Sequence, residues 1–255
     1  MATQALPYSS SPLPPRISID PVLHDYRSAM VLVAQAEGFT VHLDEDMEEF
    51  VRYLRNAPNN DGANPAFDPS ATDMEDAFWV RVERNGKIVG VMGERFLDCS
   101  KIGYYDFIRS GQLFGRLSDG PLELTIDKPG PQGRICFGGG VYVHPEVRKT
   151  GLSWFLANLG RAIAIQIWNL HAPFGMVFDP LYRNGVAEGN YGSHRIVKLT
   201  EGYFAPKGED AVVWSLEYDI PVLIEGMRHT ILQVANAGYE QMRDLAPDAR
   251  SQRKN

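Results

Sequence analysis

Residues 141–153 are VYVHPEVRKTGLS, and they run into a long, almost wholly apolar stretch that ends near Leu170. The pattern predicts a strand, a turn and then a helix over residues 151–170 that is covered on most of its sides. A helix N-terminus exposes unpaired backbone N–H groups and carries partial positive charge. With Arg148 and Lys149 in the turn, and with Gly151 leaving the backbone free of a Cβ, these residues suit a phosphate-like anion. They suit an ordinary strand–helix connection with a solvated basic turn equally well.

Patterns on both sides of this segment predict helices and strands in mixed order. The clearest is a hairpin, in which residues 77–83 and 87–96 flank the favoured turn dipeptide Asn85-Gly86. Helices are predicted from Pro21 to about Glu37, after a cap at Asp44, and from Pro221 to about Leu245. Further strands are predicted at residues 39–43, 122–126, 136–143, 174–178, 197–199 and 211–218. This order is typical of an α/β (α+β) protein built on one central sheet.

Length and composition indicate an ordinary globular chain. It has 255 residues, of which 44% are hydrophobic and 22% charged, so it can bury a core without disulfide or metal staples. The 25 Lys and Arg against 32 Asp and Glu give a net charge of −7, which disfavours a nucleic-acid partner. Its two cysteines exclude a disulfide framework, and its histidines show no ligand spacing, so no metal is expected.

The chain divides into three expected regions. Residues 1–16, rich in Ser and Pro, are expected to form a disordered arm. Residues 17–220 are expected to form the main domain, with an insertion near 98–134, and residues 221–255 a C-terminal helix and tail. No targeting signal and no apolar run long enough to span a membrane is apparent, so we expect a cytoplasmic protein without a membrane partner.

Residues 143–153 resemble the acyl-CoA-binding motif of the GNAT N-acyltransferase superfamily. That motif is V-x-P, a two-residue gap, and then [QR]-x-x-G-x-[GA] at the start of a helix. Val143, Pro145, Arg148 and Gly151 match it, and Ser153 stands where Gly or Ala is usual. The resemblance covers about residues 77–219. It implies a GNAT-like mixed central sheet flanked by helices, with an acyl-CoA site at a splay between two parallel strands.

The resemblance also implies which residues bind the acyl-CoA. Backbone amides from Lys149 to Ser153 would hold the CoA pyrophosphate, and a backbone N–H of Val141 or Tyr142 would face the acyl carbonyl. Downstream, Asn184 begins an N-x-x-A-x-x-x-Y pattern, and the resemblance implies that it contacts the CoA arm. The expected cofactor-binding residues are Val141, Tyr142, Val143, Arg148, Lys149, Thr150, Gly151, Leu152, Ser153 and Asn184.

The same pattern ends at Tyr191, which the resemblance implies is the acid that protonates the departing CoA thiolate. Arg195-Ile196 stands where relatives often have Gly-Phe, and the surrounding glycines make a poor helix. The alternative is that Tyr191 is a packing or loop tyrosine, and the acid role is the one we favour. Tyr182 and Tyr203 are alternatives if the register differs.

The general base must come from outside the strand at residues 136–143 or be a water molecule. Relatives often carry a Glu on this strand, whereas Gly138–Gly140 have no side chain. Glu94, on the neighbouring hairpin strand, is the first candidate, and Asp179, at the end of the next strand, is the second. A solvated or hydrogen-bonded structural role would also suit each of them. The three glycines themselves indicate a bulge or a close ligand approach, or else a crowded backbone crossing.

The resemblance implies an acyl-CoA-dependent N-acyltransferase. In its simplest form it transfers acetyl from acetyl-CoA to an amine on a small molecule or peptide, by direct attack in a ternary complex and without metal. Two alternatives stay open: a catalytically inactive acyl-CoA-binding sensor or scaffold, and a transferase that uses a longer acyl chain or another nucleophile. The insertion near 98–134 and the C-terminal helix would shape the acceptor site or a homodimer contact.

Overall fold

The structure is a computed structural model, and it describes residues 21–60, 62–115, 122–201 and 212–246. The helices are α1 (Pro21–Ala36), α2 (Met47–Asn56), α3 (Tyr104–Arg109), α4 (Leu152–Trp168), α5 (Asp179–Arg183), α6 (Val186–Gly189) and α7 (Ile220–Ala235). The strands are β1 (Thr40–Asp44), β2 (Ala77–Arg84), β3 (Lys87–Cys99), β4 (Gly133–Val143), β5 (Ala172–Phe178), β6 (Arg195–Glu201) and β7 (Val212–Glu217). The expected arm at residues 1–16 lies outside the described residues.

The strands form one sheet in the order β1-β2-β3-β4-β5-β7-β6. Neighbouring strands are antiparallel except for β4 and β5, which pair in parallel. That parallel pairing runs from Ile135 opposite Ala172 to Gly138 opposite Gly175, and it ends there although both strands continue. The predicted mixed central sheet is confirmed.

Helices cover both faces of the sheet. On one face α4 packs against β3, β4 and α1, and α1 packs against α7. Buried side chains of α2 and α3 join the core on the opposite face. Nearly all of α4 is buried, as its apolar sequence predicted, because the sheet, α1 and the C-terminal segment enclose it. In the described part of the chain, no helix is both long and apolar enough to cross a bilayer.

The hairpin is confirmed, since β2 and β3 are joined by Asn85 and Gly86, both with positive φ. The cap predicted at Asp44 is wrong. Asp44 ends β1, and its carboxylate accepts a hydrogen bond from Asp46 N–H at 3.0 Å. Asp46 caps α2 instead, where its side chain accepts from Glu49 N–H at 2.9 Å.

The predicted C-terminal helix is too long. It ends at Ala235, where Asn236 forms the C-cap and Ala237 takes a positive φ of 49°. The chain then folds back into a short 3₁₀ turn at Met242–Leu245, which we call the C-terminal turn. Its Met242 and Leu245 are buried in the core that contains α4.

The insertion near 98–134 contains α3 and a 3₁₀ turn at Gln112–Phe114. The strand predicted at residues 122–126 is wrong, because this segment is irregular. It nevertheless bonds to the edge strand β6, where Thr125 N–H donates to Leu199 O at 2.9 Å and Thr200 Oγ1 donates to Glu123 O at 3.0 Å. The insertion therefore covers part of a sheet edge.

Candidate active site

A cavity of about 430 Å³ opens where β4 and β5 separate. Residues Gly138 to Val141 of β4 and Gly175 to Phe178 of β5 form its two sides. Its other described walls come from α2 and the loop that follows it, β3, the 3₁₀ turn at Gln112–Phe114, α4, α5, the α6–β6 connection and β7 with the residue after it. The splay that the resemblance implied is thus a real gap in the sheet, and this cavity lies in it.

The glycine run of β4 has structural causes. Opposite Met92, Gly140 and Val141 form a bulge, and Gly140 has a φ of +62°. A Cβ on Gly138 would lie 2.9 Å from both carboxylate oxygens of Glu94, and one on Gly139 would lie 3.1 Å from the ring of Phe67. A Cβ on Gly140 would likewise meet a phenylalanine ring at 2.8 Å. The predicted bulge is therefore present, and the glycines are crowded by neighbouring side chains and not by a backbone crossing.

Glu94 points into this cavity from β3. It pairs with Gly138, and its side chain is only 1% exposed. A Cβ on Gly160 of α4 would be 3.2 Å from its Oε1, so two glycines make room for the carboxylate. Neither oxygen meets the geometry of a hydrogen bond. Burial raises the pKa of Glu94 to about 7, against the opposing effects of the Arg161 charge and the nearby Cys136 thiol.

Arg161 supplies the positive charge beside Glu94. It is 3% exposed and projects from the middle of α4. Its guanidinium donates to Tyr191 O at 3.1 Å and to Asn158 Oδ1 at 3.3 Å, and it lies 3.7 Å from the centroid of the Tyr218 ring. Sequence reasoning missed Arg161 and Tyr218. A single arginine inside the long apolar run was the available signal for the first.

The two tyrosines on this wall are Tyr191 and Tyr218. Burial raises the pKa of both phenols, and the charge of Arg161 opposes the increase. Of the alternatives to Tyr191, Tyr182 stacks on Trp214 at 3.9 Å between ring centroids and does not line the cavity. Tyr203 lies outside the described residues.

Asp179 and Asn184 are not brought to the cavity. The carboxylate of Asp179 accepts from Trp214 Nε1 at 3.1 Å and forms an ion pair with Arg183. Asn184 is exposed at the C-cap of α5. Asp179 therefore has a local structural role in this structure. Asn184, which was predicted to contact the CoA arm, does not line the cavity.

Of the other expected CoA-binding residues, Val141 lines the cavity. Tyr142 is not a lining residue, and its hydroxyl donates to Pro58 O at 3.1 Å. The segment from Arg148 to Ser153 connects β4 to α4, with Lys149 in the left-handed region at a φ of 69°. Arg148 Nε donates to Val143 O at 3.2 Å, and Ser153 Oγ accepts from Asn190 Nδ2 at 3.2 Å.

Gly151 is the N-cap of α4, with a φ of 91° and no side-chain hydrogen bond to the helix. A Cβ at this position would lie 2.7 Å from the Cα of Arg243 in the C-terminal turn. That turn is fixed nearby, because Met242 N–H donates to the Glu37 carboxylate. The glycine is therefore required by the chain's own C-terminal turn, and its presence does not by itself indicate a ligand.

Comparison with protein families and curated proteins finds no matching family model and no matching curated protein. Several solved structures are similar. A spermidine N-acetyltransferase SpeG chimera from Vibrio cholerae and hSSAT is 14% identical, covering 74% of this chain and 99% of that chain at a TM-score of 0.45. An acyl-CoA N-acyltransferase from Pseudomonas aeruginosa is 13% identical, with coverages of 71% and 99% and a TM-score of 0.42.

A GNAT-family acetyltransferase from Streptococcus pneumoniae is 16% identical, with coverages of 70% and 99% and a TM-score of 0.37. The function proposed below is derived from the cavity and its side chains.

Proposed function

We propose that this protein is an acyl-CoA-dependent N-acyltransferase, which moves an acyl group from a CoA thioester to an amine. One observation carries the proposal: the buried carboxylate of Glu94 points into the cavity where β4 and β5 separate, and the only donor beside it among the described residues is the weak S–H of Cys136. A buried carboxylate with so weak a donor is costly, so a stronger donor supplied by a ligand would stabilise it. An amine is such a donor.

The proposed reaction has one bond-forming and one bond-breaking event. The amine nitrogen attacks the thioester carbonyl, the C–N bond forms, and the C–S bond breaks to give an amide and free CoA. Glu94 accepts the amine proton, which suits a carboxyl whose pKa is about 7. The backbone N–H of Val141, at the bulge, is the proposed donor to the oxyanion.

Tyr191 is the proposed acid that returns a proton to the CoA thiolate. Tyr191 lies in the same wall as Glu94, and Arg161 donates to its backbone carbonyl. Tyr218 offers a matched comparison, because it lines the same wall beside the same guanidinium. We expect Tyr191→Phe to lower kcat by about 10²-fold or more, in the range of general acid catalysis, and Tyr218→Phe to have a smaller effect. Equal effects would contradict the assignment.

The start of α4 is the proposed site for the CoA pyrophosphate. Its first-turn N–H groups lack intrahelical acceptors, and Arg148 and Lys149 are exposed beside them. Because the C-terminal turn touches Gly151, a substitution there would disturb folding as well as binding. Lys149 is the better position to change.

The test is a calorimetric titration of acetyl-CoA and CoA into the wild type, Lys149→Glu and a control, Lys101→Glu. Lys101 is exposed just beyond the far end of β3, where Cys99 pairs with Gly133. We expect binding to weaken about tenfold in Lys149→Glu at low ionic strength, less at high ionic strength, and not in the control.

Free-thiol release in the presence of an amine panel then measures turnover. Failure of the wild type to bind CoA or any acyl-CoA would refute the proposal. Binding without thiol release across the panel would identify a binding module instead of an enzyme.

A further inference from the structure

The cavity has two parts, one on each face of the sheet. On the α4 side, its walls include Glu94 and Arg161, which are the only charged side chains among the described lining residues. On the opposite side lies a part that we call the far compartment. It is formed by Leu54, Phe114, Phe137, Phe174, Met176 and Val213.

The two parts are joined through the gap between β4 and β5. Their ladder ends at Gly138 and Gly175, so no strand pairing closes the sheet beyond that point. Both glycines line the cavity and contribute no side chain to the passage. A chain-like group held at the gap can therefore reach from one face of the sheet to the other.

The six side chains that form the far compartment are apolar. Three asparagines of the loop after α2 also line the cavity, the exposed Asn59 and the half-buried Asn60 and Asn64. Asn60 Nδ2 donates to Leu54 O at 2.7 Å, and Asn64 Oδ1 accepts from Ala66 N–H at 2.9 Å. A charged group placed among the six apolar side chains would lose its hydration without gaining a partner from them, whereas an alkyl chain would be stabilised by leaving water.

The volume of the cavity also favours an alkyl chain longer than acetyl. The whole cavity of about 430 Å³ lies in the range that holds drug-sized ligands, and an acetyl group has only three non-hydrogen atoms. The proposed proton acceptor, Glu94, lies on the α4 side, so the amine belongs on that side. That leaves the far compartment for the other substituent of the carbonyl, the acyl chain.

We propose that the far compartment binds the alkyl chain of a medium-length acyl group, so that the donor is a fatty acyl thioester and not acetyl-CoA. This inference rests on the proposed acyltransferase function. It specifies the donor of the same reaction, in which the acyl C–S bond is exchanged for a C–N bond and the amine proton ends on the thiol.

The test is a calorimetric series with CoA, acetyl-CoA, hexanoyl-CoA and decanoyl-CoA, together with decanoyl-N-acetylcysteamine, a thioester without the nucleotide. Each methylene buried is expected to improve affinity by about fourfold until the compartment is full, so hexanoyl-CoA should bind on the order of a hundredfold more tightly than acetyl-CoA. Val213→Phe reduces the space in the compartment and should abolish most of this gradient.

Val212→Phe is the matched control, because Val212 is the preceding residue of β7 and does not line the cavity. Thermal melts establish that both variants are folded. If Val213→Phe does not fold, Met176→Phe, another compartment position, replaces it.

Each outcome separates the two proposals. Equal affinities for acetyl-CoA and decanoyl-CoA would overturn the acyl-chain inference and leave the acyltransferase proposal standing. Binding of decanoyl-N-acetylcysteamine without binding of any CoA compound would support the compartment and refute CoA as the carrier. Octylamine, an amine with an alkyl chain, is titrated as a further probe. If octylamine binds tightly while affinity does not rise with acyl-chain length, the compartment belongs to the acceptor and the inference is overturned. No binding of any compound would refute both proposals.

Discussion

Replacing Glu94 with glutamine removes an ionisable group from the interior and keeps the shape of the side chain. Burial raises the pKa of Glu94 from the ordinary value of 4.5 to about 7. Below pH 4.5 the carboxyl is protonated in both the folded and the unfolded state. Between pH 4.5 and 7 the unfolded chain loses this proton while the folded protein keeps it, so the free energy of unfolding falls as pH rises. Above pH 7 the loss is complete.

The gap between the two pKa values corresponds to about 3 kcal/mol of unfolding free energy. At acidic pH, Arg161 faces a neutral side chain in both the wild type and Glu94→Gln, so the cost of burying the guanidinium cancels. Relative to the wild type, Glu94→Gln should therefore gain about 2–3 kcal/mol between pH 5 and pH 8. For a domain of this size, that is roughly 5–10 °C in Tm.

The assay is urea unfolding of the wild type and Glu94→Gln at pH 5, 6, 7 and 8. Glu75→Gln is the control, because that carboxylate is exposed. The control should differ from the wild type by a small amount that does not change with pH. A stability difference between Glu94→Gln and the wild type that is constant from pH 5 to pH 8 would refute the reasoning, as would a wild type that gains stability relative to the variant.

Three further predictions concern the packing around the site. Gly138→Ala should lower the free energy of unfolding in urea by about 1–3 kcal/mol, because the added Cβ would lie 2.9 Å from a buried carboxylate. Gly226→Ala, on the exposed surface of α7, is the control and should be neutral or stabilising. Equal effects of the two substitutions would contradict the crowding at Gly138. Cys99 and Cys136 are buried, and burial raises the pKa of both thiols. Ellman's reagent at pH 8 should therefore label neither cysteine in the native protein and both after unfolding. Rapid labelling of the native protein would contradict the buried positions of the two thiols. Met242→Ala should lower the free energy of unfolding in urea by about 2–5 kcal/mol, because this side chain is fully buried. A loss below about 1 kcal/mol would show that the C-terminal turn is not packed on the core.

The parts of the fold that the sequence predicted well have local causes. Asn85-Gly86 specifies a tight turn through its own backbone preferences, and the apolar run after residue 151 specifies a buried helix through composition alone. The cap at Asp44 was misplaced because two nearby aspartates offer the same side chain. Which of them caps the helix depends on where β1 ends, and β1 ends where its pairing with β2 ends.

The candidate site was only partly predictable, because part of it is formed by strands that are neighbours in the sheet but far apart in the sequence. Glu94 could be found because the resemblance places its strand beside β4, whose glycines have no side chain to act as the base. Tyr218 could not be found, because it follows β7, which lies beside β5 out of chain order. Asp179 was placed correctly at the end of β5, but Trp214, also on β7, accounts for its carboxylate. Long-range strand order, which the sequence pattern does not contain, decided both cases.

The contact between Gly151 and Arg243 has a consequence for how the protein is made. The ribosome completes α4 at Trp168, and 77 more residues, counted to Leu245, must follow before the C-terminal turn can pack on the start of that helix. At ordinary rates of synthesis this interval lasts roughly 4–15 s. During this interval the apolar helix α4 is not yet covered by the C-terminal turn. We expect chaperones that bind exposed apolar segments to bind the nascent chain at this stage.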